Sequence, residues 1–318
     1  MARRQRLCPE ITDPDLRAFL DMVPSIRRYN AELAGSLPLK GEKITVPLEG
    51  RDITAYLHRA GGNMRPAVLE LHGGGFILGD AAKEDALCEE LCRRIDVNVI
   101  GVNYRLAPEN PYPAALDDVC DLIKYLSAHG AEYGIDGTRI GLLGFSAGAT
   151  LSAAAALRAG AAGEHTIKAI ALHYPYLDAT RMPDEKEHYP CDIDPVVMAA
   201  FTRLYSKDEE RALSYVSPVR ASDDEIRRMP PTLIMPAEYD ALRREGVDFA
   251  ERLTDAGVPV YFKVVPDAHH GYIEDACNET VYLTTAEDVR ATHSPYFRGW
   301  ARGAMEITAE FFADRLDS

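Results

Sequence analysis

Arg139-Ile140-Gly141-Leu142-Leu143-Gly144-Phe145-Ser146-Ala147-Gly148-Ala149 is the segment on which the architecture turns. Its first part, Arg139–Gly144, is nearly all apolar, the pattern of a strand covered on both faces. The next five residues have the form G-x-S-x-G and lead into an Ala-rich helix, Ala149–Leu157. A sharp turn there pushes the Ser146 side chain into solvent on a strained backbone. Glycines at 144 and 148 remove side chains where the chain would collide with itself, and the helix start places a positive dipole end near the hydroxyl. Alone, the pentapeptide also reads as a glycine turn with a helix-capping serine. The strand–turn–helix context is what favours a nucleophile.

Outward from this segment, short β-rich runs alternate with helical patterns. The strand candidates are Ile44–Leu48, Ile53–His58, Ala67–Leu71, Val97–Tyr104, Arg139–Gly144, Lys168–Tyr174, Thr232–Ala237 and Val260–Val265. The first two flank Glu49-Gly50-Arg51-Asp52 and read as a hairpin. The rest are mostly separated by helix-like segments, which predicts a largely parallel sheet with helices on both faces. Two regions break the alternation. Near the N-terminus, Asp13-Pro14 starts a helix whose stripe is Leu16, Phe19, Leu20 and Val23, and Pro24 is expected to interrupt it. Residues 178–229 are rich in charge, Pro and Tyr, too long for a simple connection, and read as a helical insertion. Residues 1–40 and 178–229 are expected to cap the carboxyl edge of the sheet in one domain spanning 1–318. The stretch 273–296 reads as irregular, and a last helix covers about 298–316.

Three further sites stand at strand ends. His72-Gly73-Gly74-Gly75-Phe76 follows Leu71, and consecutive glycines let backbone N–H groups converge on one point, as a developing oxyanion requires. Gly74 and Gly75 are the favoured donors, with Gly73 as the alternative and the Ala147 N–H as the third. No G-x-G-x-x-G pattern or Walker lysine accompanies the loop, which weakens a phosphate-binding reading. A serine alcohol needs a base to attack at neutral pH, and the base needs an orienting acid. Asp240 follows Thr232–Ala237, where it also suits a helix N-cap. His269 and His270 follow the next strand. The order serine, acid, histidine, each at a strand end, predicts a serine-hydrolase scaffold. His72 is read as a brace for the glycine loop.

Composition narrows the alternatives. The chain has 318 residues, 47% hydrophobic and 27% charged, with a net charge of −15. These proportions exclude wholesale disorder, and the acidic balance argues against a general nucleic-acid binder. No run approaches the roughly 20 apolar residues of a membrane span. The start, Met1-Ala2-Arg3-Arg4-Gln5-Arg6, has no apolar run behind it, so a cytoplasmic location is expected. Cys8, Cys88, Cys92, Cys120, Cys191 and Cys277 are scattered and read as ordinary thiols. Cys88 and Cys92 share a helix face, but no second pair completes a metal site.

The motifs together resemble the hormone-sensitive-lipase-like family of α/β-hydrolases. The resemblance rests on HGGGF at His72–Phe76, NYRLAPENPYPAALDD at Asn103–Asp118 and GFSAG at Gly144–Gly148. YPYLD at Tyr174–Asp178, EYDALRREG at Glu238–Gly246 and HGY at His270–Tyr272 complete it. It covers about 40–272 and the last helix, and implies an eight-stranded sheet under a helical cap. It further implies hydrolysis of short- to medium-chain carboxylic esters without metal or cofactor. Carried over, Ser146 is the nucleophile, Asp240 the acid and His270 the base. His270 is chosen over His269 because the family histidine precedes Gly and an aromatic. Two departures stand out, Phe145 where the family often has Asp and Ala149 where it often has Gly. Both are expected to alter packing more than activity. The segment 273–296 is longer than the family's usual connection.

The expected function is therefore a serine carboxylesterase acting through an acyl-enzyme on small-molecule esters. An amidase, peptidase or acyltransferase could use the same triad. The presence of His270 counts against a retired hydrolase serving as a small-molecule receptor. The insertion shows no basic amphipathic face, against a membrane-surface lipase or stable membrane association. The family's habit of pairing through its last strand and helix allows a homodimer.

Overall fold

Nearly continuous apolar runs in the middle strands call for two covered faces, and the computed structural model shows both filled. It describes residues 13–62, 64–189, 193–273 and 296–317. Strands β1 (Glu42–Leu48), β2 (Arg51–His58), β3 (Arg65–Leu71), β4 (Asn98–Asn103), β5 (Ile135–Phe145), β6 (Ile167–His173), β7 (Thr232–Met235) and β9 (Val260–Phe262) form an eight-stranded sheet in the order β1-β2-β4-β3-β5-β6-β7-β9. The β1–β2 hairpin and the β2–β4 pair are antiparallel, and the remaining pairs are parallel. Successive side chains of a strand point to opposite faces. Ala67, Leu69 and Leu71 of β3 and Ile140 and Leu142 of β5 accordingly join one core, while Val68, Leu143 and Phe145 join the other.

Helices α3 (Ala114–His129), α4 (Ala147–Ala162) and α7 (Arg243–Asp255) contribute Leu122, Leu151 and Phe249 to the first core. Helix α2 (Asp85–Ile95) and the last helix, α8 (Phe297–Leu316), contribute Leu91 and Phe312 to the second. Cys88 and Cys92 are buried within that second core, where burial raises both thiol pKa values, that of Cys92 to about 11.

The structure corrects three of the sequence expectations. Helix α1 (Pro14–Ser36) runs through Pro24 without interruption. Proline in a helix interior removes one N–H bond and crowds the preceding turn, so tertiary contacts must hold the helix. Phe19 and Val23 are buried just before Pro24, and Arg27 just after it donates to the carbonyls of Ile77 and Ala107 and pairs with Glu109. The expected strands Thr232–Ala237 and Val260–Val265 are each cut in two. Pro236 has no N–H with which to continue the ladder, and the chain leaves the main sheet there. Ala237–Tyr239 (β8) and Val265–His269 (β10) then pair with each other in a separate two-stranded parallel sheet. The expected irregular stretch 273–296 falls almost wholly on 274–295, outside the described residues.

Between β6 and β7, the described part of the insertion carries α5 (Pro195–Tyr205) and a short α6 (Asp223–Ile226). Helix α5 lies against α1 through an edge-to-face pair, Phe19 and Phe201, with ring centroids 5.5 Å apart. Its Tyr205 stacks on Phe76 of the glycine loop at 3.6 Å. Among the described residues no helix is long and apolar enough to cross a membrane.

Candidate active site

The site begins where β5 turns into α4. Ser146 has φ 53° and ψ −114°, a conformation L-residues avoid. Its N–H donates to the His173 carbonyl at 3.0 Å, tying the turn to β6. The turn also depends on two close backbone approaches. A Cβ on Gly144 would meet the Gly148 oxygen at 2.4 Å, and one on Gly148 would meet the Leu71 oxygen at 1.9 Å. Only glycine lets α4 start this close to β3. Phe145 packs with His173 and Tyr174, ring centroids 5.4 and 6.0 Å away, so the departure at this position fills core.

The small sheet places the other two groups. Strand register sets Val265 opposite Ala237 and His269 opposite Tyr239. Asp240 and His270 therefore each follow a paired residue and emerge together. Glu238 adds a tie by accepting the Asp267 N–H at 2.9 Å. The Asp240 carboxylate is fully buried. One of its oxygens accepts the Leu242 N–H at 2.8 Å, a turn-capping role, and the other lies 3.0 Å from His270 Nδ1. His270 Nε2 lies 2.9 Å from Ser146 Oγ. With Nδ1–H donated to the carboxylate, Nε2 is the nitrogen left to accept the hydroxyl proton. The Tyr174 ring stands edge-to-face against His270 at 5.0 Å and limits its rotation. His269 packs instead near the Tyr239 ring at 5.5 Å, and burial lowers its pKa.

The glycine loop meets the elbow. Gly75 and Ala147 line the same cavity as Ser146, whereas the Gly74 carbonyl closes the loop by accepting the N–H groups of Ile77 and Leu78 at 3.1 and 2.8 Å. His72 braces this loop. Its Nδ1 lies 2.7 Å from the Gly73 carbonyl, and its ring stacks on Tyr104 at 4.2 Å. Burial pushes its pKa down to about 4, so the ring stays neutral near pH 7. Tyr104 donates to the His72 carbonyl at 2.7 Å, and the Ala107 N–H donates to the Phe76 carbonyl at 2.9 Å. The YRLAPE stretch thus acts through backbone support.

Sequence reasoning did not single out the cavity wall. Phe76, Tyr176, Met198, Phe201 and Leu242 line it, and Tyr176 donates or accepts a hydrogen bond with Thr202 at 2.8 Å. Behind Tyr176, a buried ion pair joins Lys186 to Glu245, whose carboxylate also accepts the N–H groups of Leu177 and Asp178 at 2.7 and 2.8 Å. The Lys186 ammonium stands over the Tyr176 ring at 4.8 Å. Phe76, Tyr176 and Leu242 lay inside quoted motifs. Phe201 had no local signal at all. Among the described residues no cluster of three or more His, Cys, Asp or Glu could hold a metal ion.

A serine, an imidazole and a buried carboxylate in hydrogen-bonded series can move a proton off an alcohol as it attacks an acyl carbon. A family profile described as the alpha/beta hydrolase fold matches residues 68–274. The chain belongs to the α/β-hydrolase fold family. Within that family it is similar to esterase LipI of Mycobacterium tuberculosis, 38% identical over 212 residues, which cover 65% of this chain and 66% of LipI. It is also similar to an arylesterase of Saccharolobus solfataricus, 35% identical over 64% of this chain and 67% of that one. The α/β-hydrolase sheet recurs in the solved structure of EstE1, a thermostable carboxylesterase cloned from a metagenomic library. That comparison gives a TM-score of 0.79 and 26% identity, covering 93% of this chain and 97% of the other. The hyperthermophilic esterase of Pyrobaculum calidifontis gives a TM-score of 0.73 and 29% identity, covering 93% of each chain.

Proposed function

We propose that this α/β-hydrolase is a serine carboxylesterase acting on short- to medium-chain acyl esters. Ser146 Oγ attacks the ester carbonyl while His270 Nε2 takes its proton. Asp240 keeps Nδ1 protonated and stabilises the imidazolium that forms. The N–H groups of Gly74, Gly75 and Ala147 hold the tetrahedral oxyanion, a contribution of about 3 kcal/mol for a well-placed donor. His270 then gives its proton to the departing alcohol, leaving an acyl-serine. Water enters, loses a proton to His270 and attacks the acyl carbon. Collapse releases the carboxylic acid and returns the proton to Ser146. Residues 178–229 and the described part of 1–40 cap the site, supported by Phe201 and Met198 on α5 lining the same cavity as Ser146.

The observation that carries this reading is the continuous series from Ser146 Oγ through His270 to Asp240, with contacts of 2.9 and 3.0 Å. The esterase names of the relatives support the same chemistry. The net charge of −15 and scattered cysteines fit a cytoplasmic enzyme that takes small esters and does not bind nucleic acid or hold stably to membranes. A homodimer through β9 and α8 fits the exposed Tyr261 and Phe262 at the end of the main sheet and the exposed Trp300. The test compares the wild type with Ser146→Ala on p-nitrophenyl acetate and on the matching anilide. The expected result is rapid ester turnover by the wild type, little anilide cleavage, and loss of at least about 10⁴-fold in kcat in a variant with unchanged circular dichroism. Ester turnover by the variant at the wild-type rate overturns the assignment.

A further inference from the structure

The direction in which a substrate lies across the site follows from proton chemistry. His270 must protonate the departing alcohol, so the alcohol portion occupies the side of Ser146 that faces His270 Nε2. The cavity beside Ser146 is lined by Ser146, Gly75 and Ala147 but not by His270. It is the space left for the acyl chain. That cavity is small, about 20 Å³. Pockets for drug-sized ligands run to roughly 300–1,000 Å³, so this one suits a short acyl group. Its walls are apolar, among them Phe76, Tyr176, Met198 and Leu242.

Phe201 is the side chain that closes it. A Cβ placed on Gly75 would fall 2.1 Å from Phe201 Cγ, so the ring rests directly on the glycine loop where that residue has no side chain. From behind, the Phe19 ring of α1 meets it edge-on at 5.5 Å. The ring is wedged between α1 and the loop, and a longer acyl chain can enter only by displacing it. We propose that Phe201 is the residue that limits acyl-chain length in this enzyme, acting on the acyl portion of the ester and not on its alcohol. This rests on the serine-esterase reading above and adds to it a residue and a polarity of substrate binding. Loss of the ring opens contiguous apolar space, and Tyr176 and Met198 then become the walls of a longer pocket.

The experiment uses two substrate series on the wild type and Phe201→Ala, with active sites counted by a methylphosphonate p-nitrophenyl ester. In the first series the alcohol is fixed as p-nitrophenol and the acyl group runs from acetyl to octanoyl. In the second the acyl group is fixed as acetyl and the alcohol runs from ethyl to hexyl. The wild type is expected to prefer acetyl, and Phe201→Ala to raise the octanoyl-to-acetyl ratio of kcat/KM by about tenfold or more, since a methylene in an apolar pocket is worth about 10-fold or more. The hexyl-to-ethyl ratio in the second series should change by less than about twofold, far below that methylene effect. Parallel acyl profiles, or an equal change in both series, overturn the proposal. Should Phe201→Ala fail to fold, Phe201→Leu must show the same trend at smaller size. The wild type must also react more slowly with an octylphosphonate than with the methylphosphonate, and equal inactivation rates overturn the proposal. Failure of the underlying reading looks different: no phosphonate labels Ser146 and neither series turns over.

Discussion

Ser146 and the two groups aligned with it, His270 and Asp240, are held by very different pieces of architecture. Ser146 sits at the end of an eleven-residue strand flanked on both sides within the eight-stranded sheet. Asp240 and His270 hang from a ladder made of a three-residue and a five-residue strand. The elbow is built from backbone packed against backbone, with Gly148 set against the Leu71 carbonyl. Asp240 and His270 depend on one register and a few side-chain ties, such as Glu238 to the Asp267 N–H. Disturbing the elbow forces packed backbone apart, whereas a slightly misplaced small ladder leaves the main sheet intact. Damage to the first should therefore appear as lost folding, and damage to the second as lost chemistry in a folded protein.

The largest effect tests the ladder side. Asp240→Asn keeps the size of the side chain but stops selecting the Nδ1–H tautomer of His270, so kcat should fall by about 10⁴-fold while the urea midpoint moves little. A large loss of stability with modest loss of kcat reverses the contrast drawn here. The next tests the elbow. Gly148→Ala forces a Cβ to within 1.9 Å of a backbone oxygen, which cannot rotate away. It should destabilise by about 3 kcal/mol or more, read by urea unfolding, with activity lost only as folded protein is lost. Normal stability there means that α4 can shift from β3 at little cost.

A smaller effect separates core from site by pH. His173 is fully buried between Tyr272 and Thr308, at 2.9 and 3.0 Å, and burial pushes its pKa down to about 3. His72 is held near 4 for the same reason. Below the ordinary histidine value of about 6.5 the unfolded chain takes up these protons and the folded chain does not. Stability is therefore complete above that pH and falls as pH drops from about 6.5 toward 4. Each group contributes about 1.4 kcal/mol per pH unit in that window. In His173→Gln, unfolding free energies measured between pH 5 and 6.5 should lose one such increment of slope. An unchanged slope shows that His173 is not kept neutral. The smallest effect concerns the strained serine. Ser146→Gly should be more stable than Ser146→Ala by about 1 kcal/mol, since only glycine tolerates φ 53° with ψ −114° freely. Equal stabilities mean that the turn relaxes once the hydroxyl is gone.

Much of this was readable from local pattern. Short β-rich runs alternating with helical patterns predicted the parallel sheet, and nearly all-apolar strands predicted its two helical layers, because side chains in buried strands must satisfy both faces at once. The strand-end positions of Ser146, Asp240 and His270 were readable for the same reason, since each punctuates a run of β-rich sequence. What escaped depended on partners distant in sequence. Pro24 was expected to interrupt its helix, but Arg27 reaches Glu109 and two carbonyls that no local window contains. Pro236 sits inside an otherwise good strand run, and that its carbonyl and the residues after it would pair with Val265–His269 depends on the whole fold. Phe201 belongs to a helix with no motif, and its place on Gly75 exists only after α5 has docked.

The most direct measurement is mass mapping of the adduct left by a methylphosphonate p-nitrophenyl ester, with residual esterase activity followed in parallel. The geometry predicts one adduct per active chain, on the peptide that contains Ser146, formed in step with the loss of activity and absent from Ser146→Ala. Inactivation accompanied by an adduct on any other residue, or complete labelling of Ser146 with activity intact, contradicts the account.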